Sequence, residues 1–418
     1  MHSLHFHEET PPMFEPEINL SNVTRADLIV AIPSYNEAES IGFPTAQAAK
    51  GLVEYFPEMT SVIINCDNNS PDNTKSVFLN TFTGVPKIYL STYPGVTGKG
   101  NNLKLLFRKA VELNAKAIIV IDADLKTIRP EWIKHLAEPL FKGYSYVAPL
   151  SVRLKYDDPL TSGIAYPLIR ALYGRRVRQP IGGEFGFSGE LAQAFLSSQI
   201  WNDSAASFGI DAWMTILALR HGVRFCQSFL GSPKVHNPKD PSASIGPLFK
   251  EVVGTIFSLM SPFEKHWINV KYSKPTAIYG YSLGEVEKVP KVEVDNERLI
   301  RRFQEGFNQY GTLWEKILCR DIYMKLVEMR GMRKDIFSFP ADLWSRLLYD
   351  MAVFCRNVPD EKKLALESLI PLYYGRTFSY VRKTKGMSTR QAEEAVEEDC
   401  MAFEMTKPYL VKRWMERS

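Results

Sequence analysis

Ala117-Ile118-Ile119-Val120-Ile121-Asp122-Ala123-Asp124 is an apolar, mostly β-branched run that stops on two carboxylates separated by one alanine. An uninterrupted run of this kind fits a strand covered on both faces, as in a parallel sheet. Open parallel sheets take ligands outside the carboxyl ends of their strands, which puts Asp122 and Asp124 at the binding edge. Residues two apart on a strand point the same way, so the pair can aim oxygens at one point. Oxygen ligands suit Mg2+ or Mn2+, ions that keep some waters and share the rest of their coordination with phosphates. The competing reading is a loop whose two aspartates cap the next helix.

Outward from this run the pattern repeats. Apolar runs alternate with amphipathic segments from Asp27 onward, the signature of βα units and a parallel sheet. Strands are expected at 28–32, 61–66 and 87–91, and helices at 38–55, 75–80 and 101–114. The strands lead into Pro33-Ser34-Tyr35-Asn36-Glu37, Asp67-Asn68-Asn69-Ser70-Pro71-Asp72-Asn73-Thr74 and, after Ser91, Gly95-Val96-Thr97-Gly98-Lys99-Gly100. Four polar or glycine-rich loops, counting Asp122-Ala123-Asp124, should therefore share one sheet edge. Further on come a helix at 131–141, a strand at 144–150, a helix at 166–173, the turn-rich Gln179-Pro180-Ile181-Gly182-Gly183-Glu184, a helix at 211–221 and a strand at 224–230. From about 247 the alternation gives way to helical periodicity, with Leu299, Ile300, Phe303 and Phe307 recurring on one face.

Composition removes several classes of function. Of 418 residues 45% are hydrophobic and 12% aromatic, ample for a packed core. Basic residues exceed acidic ones by only 51 to 47 and are spread along the chain, so no nucleic-acid stripe is indicated, while a small anionic ligand remains compatible. Five widely spaced cysteines without a Cys-x-x-Cys pair give neither a disulfide framework nor a thiolate zinc site. No segment has the length of a membrane span or the apolar core of a signal peptide, so a soluble, cytoplasmic protein is expected. His2, His5 and His7 read as incidental to an N-terminal tail.

The glycine-rich loop before Asn101 frees backbone N–H groups and Lys99 supplies a cation, yet it lacks the spacing and the Lys-Ser/Thr ending of a Walker loop, which excludes an NTPase of that type. His236, flanked by Lys234 and Asn237 just past a strand, joins Asp124 in a mixed oxygen and nitrogen site if the two strands are neighbours. Glu184 and Asp211 each follow a glycine-containing turn and are the remaining carboxylates for proton chemistry. Asp211 serves equally as a cap for the helix after it, and Glu184 as a partner for a nearby arginine.

Taken in order, Pro33-Ser34-Tyr35-Asn36-Glu37, Asp67-Asn68-Asn69-Ser70-x-Asp72-x-Thr74, Gly98-Lys99-Gly100 and Asp122-Ala123-Asp124 resemble nucleotide-sugar glycosyltransferases of the GT-A fold. The later segments Gln179 to Glu184, Gly209-Ile210-Asp211 and Lys234-Val235-His236 are similar to retaining enzymes that make glycosylglycerates: mannosylglycerate, glucosylglycerate and glucosyl-3-phosphoglycerate synthases. The resemblance implies an α/β GT-A fold, Rossmann-like, with a mainly parallel sheet flanked by helices and a mainly helical C-terminal region. It implies transfer of glucose or mannose from a nucleotide-diphospho-sugar to D-glycerate or 3-phosphoglycerate, with Mg2+ or Mn2+. Pro33, Tyr35, Glu37, Asp67, Lys99, Asp122, Ala123, Gly182 and Gly183 would form the nucleotide-sugar pocket. Asp124 and His236 would be the metal ligands, and Glu184 and Asp211 would bond the sugar hydroxyls. Gly186, Phe187, Ser188, Asn237 and Arg178 would lie on the acceptor side. Where the phosphoglycerate enzymes place a Thr and an Arg after the Gly-Gly-Glu loop, this chain has Ser188-Gly189, which favours unphosphorylated glycerate.

The expected organisation is a tail over 1–26, the catalytic domain over 27–273, a linker over 274–294 and a helical domain over 295–418. For the last, two roles stay open: a homo-oligomer contact and cover for the acceptor side. The rival readings are an inverting transferase with Asp211 as base acting on a larger acceptor, and a non-catalytic nucleotide-binding scaffold.

Overall fold

In the computed structural model, residues 16–152, 155–235, 245–280 and 292–416 are described. Strands run in chain order β1 (Glu17–Ile18), β2 (Leu28–Ser34), β3 (Ser61–Asp67), β4 (Lys87–Ser91), β5 (Ala117–Val120), β6 (Tyr146–Val152), β7 (Arg175–Arg176), β8 (Phe185–Ser188), β9 (Phe225–Pro233), β10 (Lys274–Pro275) and β11 (Ala277–Tyr279). The helices threaded between and around them are α1 (Gly42–Tyr55), α2 (Thr74–Asn80), α3 (Lys99–Glu112), α4 (Pro130–Phe141), α5 (Tyr166–Tyr173), α6 (Gly189–Leu196), α7 (Asp203–Ala206), α8 (Ile210–His221), α9 (Gly246–Met260) and α10 (Glu264–Trp267). The helical region that follows comprises α11 (Asn296–Ile317), α12 (Arg320–Arg330), α13 (Ala341–Asn357), α14 (Lys362–Thr384) and α15 (Thr389–Met415).

The main sheet has the order β1-β4-β3-β2-β5-β8-β6-β9-β11. β2 pairs in parallel with β3 on one side, from Leu28 opposite Ser61 to Ser34 opposite Asp67, and with β5 on the other, from Leu28 opposite Ala117. Every residue of β2, β3 and β5 is buried, as their continuous apolar runs require of strands covered on both faces. Alternate side chains feed two cores: Leu28, Val30 and Ile32 meet α1 and α4 through Leu52, Trp132 and Ile133, whereas Ile29 and Ala31 face the layer of α3, α5 and α8. That second core continues without a break into the helical region, taking in Phe303, Trp314, Trp344, Leu369 and Trp414.

Two expectations about boundaries change. Glu17–Ile18, placed in the tail, pairs antiparallel with β4, and the first residues of the supposed linker pair with β7 and add β11 in parallel beside β9. Short edge strands carry too few residues to show a period, so sequence pattern misses them. Among the described residues all five cysteines are free and no helix is long and apolar enough to cross a membrane.

Charge ties the helical region to the sheet. Arg170 on α5 is 2% exposed and pairs with Glu404 at 2.7 Å and Glu397 at 2.5 Å, both on α15. Arg178 makes a two-pronged contact with Glu393 of the same helix, 2.8 Å on each prong. Within the region α11 and α14 approach closely at glycine: a Cβ on Gly306 would lie 2.3 Å from Pro371, and one on Gly375 2.5 Å from the Phe303 ring.

Candidate active site

The loops after β2 and β3 are zipped together by the polar residues that mark them in the sequence. Thr74 Oγ1 accepts from the Glu37 N–H at 2.8 Å, Ser70 Oγ from the Asn36 N–H at 2.8 Å, and Asp72 from the Ala38 N–H at 3.1 Å. Asn36 and Asn69 both hold the left-handed conformation, with φ of 56° and 55°, which asparagine tolerates far better than β-branched residues. Asn68 links these loops to the next, accepting from the Gly98 N–H at 3.0 Å and donating to Asn102 at 2.7 Å. The glycines around Lys99 serve packing: a Cβ on Gly98 would stand 2.4 Å from the Ala206 carbonyl, and one on Gly100 1.8 Å from that of Ala205. Lys99 is thus fixed as the first residue of α3 with its side chain turned toward Asp122.

A cavity of about 1190 Å³ opens along this edge. Pro33, Tyr35, Glu37 and Asn68 line it together with Lys99, Asp122, Ala123, Asp124, Gly182, Gly183, Asp211 and Lys234. Glu251 of α9 and Tyr373 of α14 also line it, so the helical region contributes to the wall.

At the centre lies a cluster of opposed charges. Lys99 donates to Asp122 Oδ1 at 2.9 Å and lies 3.3 Å from Asp211. Lys234 donates to Asp122 Oδ2 at 2.9 Å, to the Gly182 carbonyl at 2.8 Å and to Glu184 Oε1 at 2.7 Å. Burial works against charge at each group, and the outcomes differ. The two lysines hold Asp122 well below the usual carboxylate range, and the carboxylates in turn raise both lysines. Burial lifts Glu184 to about 8 against the pull of Lys234, and lifts Asp211 against Lys99. Burial also lifts Glu37, aided by Asp124 and Asp122. Three carboxyl groups, Asp122, Glu184 and Asp211, face two ammonium groups; the lysines keep Asp122 ionised, and burial drives Glu184 and Asp211 toward the protonated form. Gly183 makes the arrangement sterically feasible: its φ is +89°, and a Cβ there would lie 2.2 Å from Asp122 Oδ2.

Several expected site residues stand elsewhere. Asp67 is fully buried and accepts from the Ser34 hydroxyl at 2.7 Å, the Ser70 N–H and hydroxyl at 2.7 and 2.6 Å, and Tyr89 at 2.9 Å, so it braces the loops and does not face the cavity. Glu184, at 0% exposure, lies outside the cavity wall and meets Lys234 from beneath. Gly186, Phe187 and Ser188 run away from the site, because β8 is antiparallel to β5 and sets Phe185 opposite Val120 but Ser188 opposite Ala117, at the far edge. Ser188 there caps α6 through the Leu191 N–H, so the Ser188-Gly189 departure carries no information about acceptor phosphorylation. Arg178 is committed to Glu393 and does not line the cavity. His236 and Asn237 lie outside the described residues. Among the described residues no three His, Cys, Asp or Glu side chains form a metal cage.

Sequence reasoning passed over Asn68, Lys234, Glu251 and Tyr373. The first two sit in strand-end loops and were within reach of the pattern; the other two reach the site only through helix packing.

Residues 29–186 match the family model described as Glycosyl transferase family 2. No curated protein matches the chain. Similar solved structures include glucosyl-3-phosphoglycerate synthase from Mycobacterium tuberculosis in complex with Mn2+, uridine diphosphate and glucosyl-3-phosphoglycerate, at 22% identity over 56% of this chain and 79% of that chain, TM-score 0.45. A second structure of that enzyme is 22% identical over 59% of this chain and 85% of the other, TM-score 0.43. Its complex with Mn2+, UDP-glucose and glycerol 3-phosphate is 21% identical over 60% and 86%, TM-score 0.42. The matched segment runs from β2 into β8, and the helical region lies beyond it.

Proposed function

We propose that this glycosyltransferase is a metal-dependent, retaining hexosyltransferase that moves glucose or mannose from a nucleoside-diphosphate sugar to D-glycerate or 3-phosphoglycerate, yielding a glycosylglycerate of the compatible-solute type. The observation that carries the transfer reading is the charge cluster around Asp122 at the carboxyl ends of the strands, where two lysines hold one carboxylate ionised at the wall of the cavity. Asp124 borders the cavity beside it and offers a carboxylate to an Mg2+ or Mn2+ ion shared with the donor diphosphate, which fits a hard cation that takes oxygen ligands and keeps phosphates in its shell. Such an ion, when bound, offsets the charge that develops on the departing nucleoside diphosphate. His236 completes the set by resemblance.

The chain's own groups have distinct tasks. Tyr35, Glu37 and Asn68 line the cavity, and by resemblance the loops that carry them would meet the base and ribose. Lys99 and Lys234 hold Asp122 ionised and fixed on both oxygens. Gly182 and Gly183 keep the floor free of side chains so that a hexose can approach the backbone. In the retaining course the acceptor 2-hydroxyl attacks the anomeric carbon on the face that the diphosphate leaves, the bond to the diphosphate oxygen breaks, and a diphosphate oxygen takes the proton. The glycerate acceptor rests on the resemblance.

One observation favours a second course. Asp211 lines the cavity with Lys99 3.3 Å from its carboxyl oxygens, and burial raises its carboxyl, which suits a general base of an inverting enzyme. The experiment is nucleotide release with Mg2+ or Mn2+ across GDP-mannose and UDP-, GDP- and ADP-glucose, each with D-glycerate and 3-phosphoglycerate, followed by NMR of the anomeric linkage. The α-linked product, with turnover lost in Asp124→Ala, is expected. A β-linked product moves the base role to Asp211, and no product with either acid removes the glycerate acceptor.

A further inference from the structure

We propose that the ribbon formed by β7 and β10, with the exposed flank of α15 beside it, is a docking surface for an anionic lipid bilayer. The inference stands apart from the transferase reading and concerns the edge of the sheet opposite the cavity.

Charge is the first observation. β7 and β10 pair in parallel, and their register sets Lys274 directly opposite Arg175. Both are exposed, as are Arg176 and Lys271. Arg175 donates to the Pro275 carbonyl at 3.4 Å and Arg176 to the Ser273 hydroxyl at 3.2 Å, and among the described residues none of these four cations has a carboxylate partner. The carboxylates that pack nearby are paired elsewhere, Glu397 and Glu404 with Arg170 and Glu264 with Arg356. Like charges facing each other across a strand pair cost stability, and an anion laid over them relieves that cost.

Apolar exposure is the second. Tyr272, between Lys271 and Lys274, is 67% exposed. α15 passes alongside: Glu404 meets Arg170, which bonds Ser273 at 3.1 Å, and Lys407 donates to the Val270 carbonyl. Met405 and Pro408, each one residue further along the helix, face solvent together with Met401, and Met405 is 80% exposed. Their spacing of four and three places them on one helix face. An apolar stripe and an aromatic ring beside cations fit the bilayer interface, where apolar groups enter the headgroup boundary and long basic side chains reach the lipid phosphates. A nucleic acid would use the cations and give the methionines no role.

Orientation is the third. β11 follows β10 directly and begins at Ala277 opposite Cys226, near the start of β9. β9 is parallel to β6, and β6 and β5 are both antiparallel to β8, so β5, β6, β9 and β11 point one way. The ribbon therefore lies at the amino ends of strands whose carboxyl ends carry the cavity. A chain docked through it keeps the cavity toward water, open to soluble substrates.

The full chain is floated with vesicles of equimolar phosphatidylglycerol and phosphatidylcholine, and with vesicles of phosphatidylcholine alone, at low and high salt. Binding to the anionic vesicles that weakens with salt, and none to phosphatidylcholine, is expected. Each cation near such a surface is worth about fivefold, so Arg175→Gln/Lys271→Gln/Lys274→Gln should bind roughly 100-fold more weakly, whereas Lys50→Gln/Arg108→Gln/Lys363→Gln, which removes exposed cations elsewhere, should stay within about twofold. Met401→Gln/Met405→Gln should lose several-fold on vesicles and keep wild-type affinity for a short DNA duplex titrated in parallel.

Absence of binding to anionic vesicles overturns the proposal, as does an equal loss in the two charge variants. Wild-type vesicle affinity in the methionine variant identifies a general polyanion patch and removes the bilayer. Should the ribbon triple variant fail to fold, Lys274→Gln alone decides: a several-fold loss on anionic vesicles supports the surface, and unchanged affinity overturns it.

Discussion

The two halves of this chain bury polar groups for different ends. At the sheet edge, Asp122, Glu184, Asp211, Lys99 and Lys234 are held out of water in a cluster of three carboxyl groups and two ammonium groups, with Glu184 Oε2 left without a hydrogen-bond partner. In the helical region the interior is mostly aromatic and aliphatic, and its buried charges are paired, Arg376 with Asp399 and Asp350 with Arg413, while at the seam with the sheet Arg170 and Arg178 meet Glu393, Glu397 and Glu404. Burying charge is expensive: the sheet edge crowds carboxyls and lysines at a cavity that can bind something, whereas each buried seam arginine meets a carboxylate and only joins two surfaces.

The largest test of that contrast removes the seam. Glu397→Gln together with Glu404→Gln leaves Arg170 buried without a carboxylate, and a loss of about 3 kcal/mol or more is expected in urea unfolding. A loss under about 1 kcal/mol would mean that water screens the seam and would break the comparison.

Gly183→Ala probes the sheet edge. Its Cβ would fall on Asp122 Oδ2, in a backbone conformation that alanine avoids, so kcat/KM is expected to drop about 100-fold, roughly 2.7 kcal/mol, while circular dichroism stays unchanged. Activity within a few-fold of wild type would show that the floor has room to shift.

Two glycines of α11 sharpen the account of the helical region. Gly306→Ala drives a Cβ into Pro371 and should destabilise by about 1–3 kcal/mol, whereas Gly311→Ala has nothing within 4 Å and should stabilise by about 0.5–1 kcal/mol. Equal shifts from the two would refute the close approach of α11 and α14.

The smallest effect is one of pH. Burial lowers Lys407 on α15 to about 8, where it donates to the Ala171 carbonyl at 2.9 Å. The unfolded chain keeps its proton up to the ordinary lysine value near 10.5, so between pH 8 and that value the unfolded state binds more protons and stability rises with pH. Relative to Lys407→Met, the wild-type melting temperature should climb across that window and hold a constant offset below pH 7. A constant offset at every pH would place the lysine in water.

Much of the site was legible because loops at strand ends declare themselves by composition. Asp122-Ala123-Asp124 follows a run that only a doubly covered strand explains, and Pro33 to Glu37 with Asp67 to Thr74 carry the hydroxyls and carboxylates that tie two loops together. Asp67, which the resemblance assigns to the nucleotide pocket, turns inward to four donors, a direction that the motif around it does not show. Gly186 to Ser188 were misplaced for another reason. A period of two identifies a strand equally well whichever way it runs, and the antiparallel pairing of β8 alone carries Ser188 to the far edge.

By itself the sequence determined the parallel α/β domain, the strand-end carboxylates and the helical character of the region after it, since each follows from local periodicity and residue chemistry. Tertiary structure alone decided that Glu184 lies under Lys234, that Arg178 faces Glu393, and that Tyr373, some 250 positions beyond Asp122, shares its cavity. Contacts between elements distant in the chain depend on pairing direction and packing angle, and neither leaves a period in the sequence.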